Sequence, residues 1–407
     1  MNKLFFIFIF SLLFSQNIEK APYVLMISFD GFRADYIDWY DTPNFDRLSS
    51  HGVKADGMKP VFVSKTFPNH YSLATGMYIE NHGLVGNHFY DSVLDEQYTL
   101  SDRSKVEDSR FYGGEPIWVT AEKQGVKTAS YYWVGSEAPI GGIYSSIWKK
   151  YDHHFPFHSR IDSVASWFSL PEESRPHLVM LYFHEPDNTG HRFGPKSPKT
   201  AAMVDSMDIL MGRIIDAMSQ LDIYPNLNII AVADHGMTPI SPDRTINLEK
   251  YVNMKDITME GDGPFSLLYG KNKFRMRRLV KKLKKIPHLS AYLKKDIPDR
   301  YHFKNHYRIK DVLLVADEGW SILGMSGRSA DPNSHSGGTH GYDNELRSMQ
   351  ALFVADGPAF KDGYNSPGFE NIHVNPLVAH ILGITPYSDI DGNLDSIKHI
   401  LKNGDND

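Results

Sequence analysis

The sequence contains no cysteine. Disulfides, thiolate metal sites and a thiol nucleophile are therefore excluded together, as is a lipid anchor on an N-terminal cysteine. Any metal must sit on aspartate, glutamate or histidine, and the 19 histidines make that possible. Long apolar runs are also lacking. None reaches the roughly eighteen residues of a comfortable membrane span, so the mature chain is expected to have no such span. No excess of basic charge exists either. A formal net charge of −6 gives no general pull towards nucleic-acid backbones or anionic lipid, and no stable nucleic-acid complex is expected. Internal repeats and low-complexity segments are absent. With 41% hydrophobic and 23% charged residues over 407 positions, the chain reads as globular. That length allows two or three domains, or one large α/β domain with insertions.

The N-terminus has the layout of an export signal. Lys3 precedes an apolar run, Leu4–Phe14, and the polar residues Ser15, Gln16 and Asn17 follow. A basic start, a short apolar core and small or polar residues after it make a secretory signal. Residues 1–16 are assigned to it, which places the mature protein in a periplasm or outside the cell.

Three short apolar runs carry the next signal. Tyr23–Ser28 leads to Asp30, Leu178–Phe183 to Asp187, and Asn228–Ala233 to Asp234. Unbroken runs of this kind suit parallel strands buried on both faces. Ala201–Leu221 between them has helical spacing of Val204, Met207, Leu210, Ile214, Met218 and Leu221. Such alternation predicts an α/β fold, a largely parallel central sheet with helices on both faces. Ligands collect beyond the carboxyl ends of such strands. One loop aspartate is ordinarily a turn former; three at strand ends ask for another explanation.

Histidines supply it. His191 follows Asp187 by four residues among the turn formers Pro186, Asn188 and Gly190. His235 adjoins Asp234, and His340 lies in a glycine-rich GGTHGYDN. Three carboxylates and three imidazoles are a ligand set suited to Zn²⁺. Six ligands divide naturally between two ions, and two such ions clamp the oxygens of a phosphoryl displacement. Thr66, in SKTFPNH ahead of a helix-like stretch, fits a helix cap and a nucleophile equally well. Lys65 beside it is expected to be a solvated surface lysine.

The ordered set SFDGFRADY, SKTFPNHYSLATG, NHGLVGNHFYD, YFHEPDNTGH, VADHGM and GGTHGYDN resembles the nucleotide pyrophosphatase/phosphodiesterase family of the alkaline phosphatase superfamily. The resemblance spans Tyr23 to about Lys250 and Gly337 to about Gly383. It implies an alkaline phosphatase-like fold and two zinc ions. Asp30, Thr66, Asp234 and His235 would bind one, and Asp187, His191 and His340 the other. It implies that Thr66 forms a phospho-threonine intermediate and that Asn87 donates to a phosphoryl oxygen. It also implies that the rings of Phe67 and Tyr151 sandwich a nucleobase. The expected substrate is a small nucleoside 5′-phosphodiester or pyrophosphate, cleaved to a 5′-monophosphate. Between Ser130 and Tyr144 there is no basic residue to hold a monoester dianion, which favours diesters. A choline-type phosphodiester, met by Tyr132, Trp133 and Glu137, is the alternative, with a phosphomonoesterase or a non-catalytic binder behind it.

Residues 251–330 are expected to form an α+β insertion in a catalytic domain made of 17–250 and 331–407. Lys271–Lys285 holds nine Lys or Arg and no acid; Phe274, Val280 and Leu283 suggest one helical stripe. Tyr301–Leu323 suggests a small hairpin, and Ala351–Ala355 a return to the main sheet.

Overall fold

Among residues 22–402, which a computed structural model describes, the three apolar runs become neighbouring strands. The expected signal segment 1–16 and the polar tail 403–407 lie outside the described residues. Eight strands make the central sheet: β1 Tyr23–Phe29, β2 Val53–Ala55, β3 Thr128–Tyr131, β4 Ile147–Lys149, β5 Leu178–Phe183, β6 Leu227–Val232, β7 Phe353–Asp356 and β8 Tyr364–Ser366. Their spatial order is β8-β2-β7-β6-β1-β5-β3-β4. All neighbours are parallel except β7, which runs against both β6 and β2. Every residue of β1, β5 and β6 is buried. Each Leu, Ile, Val or Phe removed from water in this way contributes about 1.5–3 kcal/mol.

Helices cover the sheet on both faces. On one, α1 Pro43–His51, α4 Phe157–Phe168 and α5 Asp187–Phe193 pack against the long α6 Pro198–Ser219. On the other, α2 Thr66–Thr75 and α3 Ile117–Lys123 pack against α8 Val374–Leu382. In α6, Ser197 caps the first turn by accepting from the Thr200 N–H at 3.1 Å. Its Val204, Met207, Leu210, Ile214 and Met218 are buried, so these methionines are core.

Beyond β6 the chain builds a second, antiparallel sheet from Thr258–Glu260, Phe265–Tyr269, Val312–Ala316 and Leu289–Leu293, in that order. The basic α7, Lys273–Leu283, buries Met276, Leu279, Val280 and Leu283 in an apolar cluster with Leu268 and Leu314. Two expectations fail here. Phe274 is 76% exposed, because the Asn272 cap sets a register that turns it about 200° from Met276. Val312–Ala316 does not form a hairpin with the following Ser321–Ile322, which pairs with Thr245–Ile246 instead. Its two edges are already taken by Phe265–Tyr269 and Leu289–Leu293. Among the described residues no helix is long and apolar enough to cross a membrane.

Candidate active site

The carboxyl ends of β1, β5 and β6 deliver three acids to one place. Asp30 follows β1 directly; its Oδ2 accepts from the Tyr182 hydroxyl at 2.6 Å. Asp234, two residues past β6, accepts from the Gly31 N–H at 3.1 Å. Asp187 opens α5. The turn suggested by Pro186, Asn188 and Gly190 is in fact this helix, which puts Asp187 and His191 on one face at i and i+4. His340 arrives from the far end of the chain, and its ring stacks on that of His235 at 3.4 Å between centroids.

Two ligand groups result. His235 Nε2 lies 2.9 Å from Asp234 Oδ2, 3.5 Å from Asp30 Oδ1 and 3.3 Å from Thr66 Oγ1. His191 Nε2 lies 3.5 Å from Asp187 Oδ1 and 3.1 Å from His340 Nε2. Each imidazole directs Nδ1 at a backbone carbonyl: His191 at Gly338, His235 at Gly236 and His340 at Ser64, all within 2.8–2.9 Å. A carbonyl can only accept, so Nδ1 carries the proton and Nε2 offers its lone pair, the usual tautomer of a metal-ligating histidine. Two such lone pairs facing each other at 3.1 Å repel unless a cation lies between them.

Unpartnered oxygens test the same point. Asp30 Oδ1, Asp187 Oδ1 and Asp234 Oδ2 are buried and have no hydrogen-bond partner. A buried, unpaired carboxylate oxygen is costly. Three of them around a handful of imidazoles fit a pair of divalent cations. Burial, with Asp234 and Asp187 alongside, pushes Asp30 well above the usual carboxylate range. Burial, with His235 and Lys65 nearby, pushes His340 well below an ordinary histidine. His70 also approaches Asp234, at 3.4 Å. Its nitrogens, however, are engaged with Ser28 Oγ at 2.8 Å and the Thr66 carbonyl at 2.9 Å, so it braces the site.

Thr66 is the first residue of α2, and Lys65 holds the N-cap position; the Thr66 hydroxyl faces His235 Nε2. The helix N-terminus places partial positive charge beside that oxygen. Asn87 Oδ1 accepts from the Phe67 N–H at 3.0 Å. That bond leaves the Asn87 amide N–H groups as donors on a cavity of about 540 Å³. Thr66, Phe67, Asn87, Tyr151, Asp30 and His340 all line it. Phe67 and Tyr151 are half-buried there.

Lys65 differs from expectation. It is half-buried, and burial holds its ammonium down to about 8 against the pull of Asp187 and Asp262. The choline alternative loses its anion: Glu137 pairs with Arg103 and accepts from the Tyr151 N–H at 3.1 Å. Trp133 is core, donating to the His70 carbonyl at 3.0 Å. Two further residues serve the site. Tyr182 was visible as the one hydroxyl in LVMLYF, near the strand end that serves the site. Arg103 gave no sequence signal, since it acts through a partner 34 positions away.

The type I phosphodiesterase/nucleotide pyrophosphatase family model matches residues 24–343. A venom phosphodiesterase of Naja atra is 40% identical over 400 residues, covering 95% of this chain and 47% of its own. The chain thus spans about half the length of the venom enzymes it matches. Human bis(5′-adenosyl)-triphosphatase ENPP4 is 36% identical over 371 residues, covering 90% of this chain and 79% of its own. Murine ectonucleotide pyrophosphatase/phosphodiesterase 5, solved as an inactive variant in complex with AMP, superposes with a TM-score of 0.87 at 32% identity. That match covers 93% of this chain and 100% of the solved one. The chain belongs to the type I phosphodiesterase/nucleotide pyrophosphatase family.

Proposed function

We propose that the chain is an exported two-zinc phosphodiesterase/nucleotide pyrophosphatase that cleaves nucleoside 5′-phosphodiester or pyrophosphate bonds to 5′-monophosphates. The observation that carries this is the convergence of the unpartnered oxygens of Asp30, Asp187 and Asp234 on His235, whose Nε2 lies 3.3 Å from the Thr66 hydroxyl. The basic start and apolar run of residues 3–14 support export.

Asp30, Thr66, Asp234 and His235 would hold one zinc and Asp187, His191 and His340 the other; when bound, the pair supplies Lewis acidity at the attacking and leaving oxygens. Thr66 Oγ1 gives up its proton to solvent and bonds to phosphorus, while the bond to the leaving oxygen breaks and the leaving group departs with its electron pair, giving phospho-threonine. Negative charge spreads over the equatorial oxygens as this happens. The Asn87 amide donates to one of them, as in an oxyanion hole. Phe67 and Tyr151 hold the base on the aromatic side of the cavity. Water then cleaves the phospho-threonine bond, the 5′-monophosphate departs, and Thr66 recovers its proton.

A nitrophenyl ester of a nucleoside 5′-monophosphate should be cleaved with a higher kcat/KM than nitrophenyl phosphate or nitrophenyl phosphorylcholine, and chelator should abolish all turnover. Thr66→Ala should lose turnover while keeping bound metal. Full activity in that variant, or a preference for the phosphomonoester, would overturn the proposal.

A further inference from the structure

A nucleotide with its base between Phe67 and Tyr151 must send its other half out of the aromatic cavity. A second cavity, of about 670 Å³, meets the first at Asn188 and His191, and Lys65 stands in its wall beside Thr66. Its lining differs in kind. The first cavity is walled largely by rings and aliphatic groups, the second by Lys65, Arg192 and Arg328 together with serine hydroxyls. Arg192 and Arg328 are exposed and have no carboxylate partner among the described residues. The loop that presents Arg328 is tied down. Ser334 Oγ donates to the Arg328 carbonyl at 2.8 Å, and the buried His335 donates from Nε2 to the Ser329 carbonyl at 3.0 Å. One acid, the exposed Asp262, shares the cavity with these cations.

We infer that this second cavity is the subsite of the leaving group, and that Arg192 and Arg328 select leaving groups made of phosphate anions. The inference rests on the proposed phosphodiesterase chemistry. With a nucleoside 5′-triphosphate, Thr66 Oγ1 forms its bond to the α-phosphorus. The bond from that phosphorus to the bridging oxygen breaks, and diphosphate leaves with the electron pair past His191. Guanidinium groups meet such oxygens with charge-assisted, often paired hydrogen bonds. Nitrophenolate, a flat monoanion, makes little use of them. Asp262 acts in the opposite sense by repelling the polyanion.

The test compares two substrates in one enzyme: a nucleoside 5′-triphosphate, and the nitrophenyl ester of the same nucleoside 5′-monophosphate. The readout is the ratio of their kcat/KM values. In Arg192→Ala/Arg328→Ala the ratio should fall about tenfold. In Asp262→Asn it should rise, and that reversal of sign is something a general loss of structure does not produce. The wild-type ratio should also decline with salt, as exposed charges are screened, and the double variant should lose that dependence. A ratio that changes less than threefold in the double variant overturns the inference. Failure of the wild type to cleave either substrate would instead remove the phosphodiesterase proposal beneath it.

Discussion

Asn87 divides its amide between two tasks. The carbonyl oxygen secures the Phe67 N–H in the first turn of α2, and the nitrogen is left for the cavity. Asn87→Asp separates them, since it keeps an acceptor for Phe67 and loses the donor. Loss of one oxyanion donor typically costs about 10²–10³ in kcat. A fall of that size in Asn87→Asp, with KM little changed, is expected from steady-state kinetics; a near-normal kcat would remove Asn87 from the chemistry. Tyr151 should behave differently. Stacking on a base is worth about 1–3 kcal/mol, so Tyr151→Ala should mainly raise KM, by roughly ten- to a hundredfold. The nitrophenyl phosphate rate should barely change, since that compound has no base.

At the scale of elements, glycine decides how closely the His340 segment approaches α5. Gly337 has φ +87°, and a Cβ there would lie 2.2 Å from the His191 carbonyl oxygen. Gly341, at φ +113°, would bring a Cβ to 2.6 Å from the Lys65 Cε. Gly337→Ala should therefore spread His340 from His191, and metal analysis should find less bound metal per chain. Normal metal content would show that the segment can yield. Much of this site was legible in the sequence, because strand-end aspartates and an i, i+4 histidine are local patterns. The hydrogen-bonded Tyr182 was half visible, as a polar tip in an apolar run. The burial of Lys65 is not a local pattern, because the Gly341 segment that packs on it lies some 276 positions later. The strand Val312–Ala316 was recognised but its partners were not, since short apolar runs do not encode whom they pair with. The buried pair Arg308–Asp91 is of the same non-local kind. Burial opposes the Asp91 charge, yet donors from Tyr307, Leu94, Arg308 and Val93 hold it down to about 2. Its Oδ2 accepts from Arg308 Nε at 2.6 Å, which fastens the strand following Asn87 to the second sheet's region. Arg308→Leu leaves that buried carboxylate without its cationic partner, and should cost about 3–5 kcal/mol in denaturant unfolding.

For the whole molecule, acid should be destabilising through histidine as well as through metal release. His82 is buried, with Nε2 2.8 Å from Ser72 Oγ and Nδ1 accepting from the Leu84 N–H. Burial, with His306 and Arg308 nearby, pushes it down to about 3, against about 6.5 in an unfolded chain. Between those values the unfolded state binds the extra proton. The contribution of His82 is thus complete above pH 6.5 and declines by about 1.4 kcal/mol per unit as pH falls towards 3. Tm measured by calorimetry should drop between pH 6.5 and 5 in metal-loaded and chelated protein alike. A flat Tm in the chelated protein would contradict it.

The seven groups offered to metal run from Asp30 to His340, so loops of tens to more than a hundred residues begin and end at one small cluster. Closing long loops costs conformational freedom that strong bonds at their ends must offset. In a chain without sulfur bridges, that junction would take their place as a set of reversible cross-links. A chelating agent would then loosen this protein much as a reducing agent loosens one sewn with cystine, slackening distant strands at once.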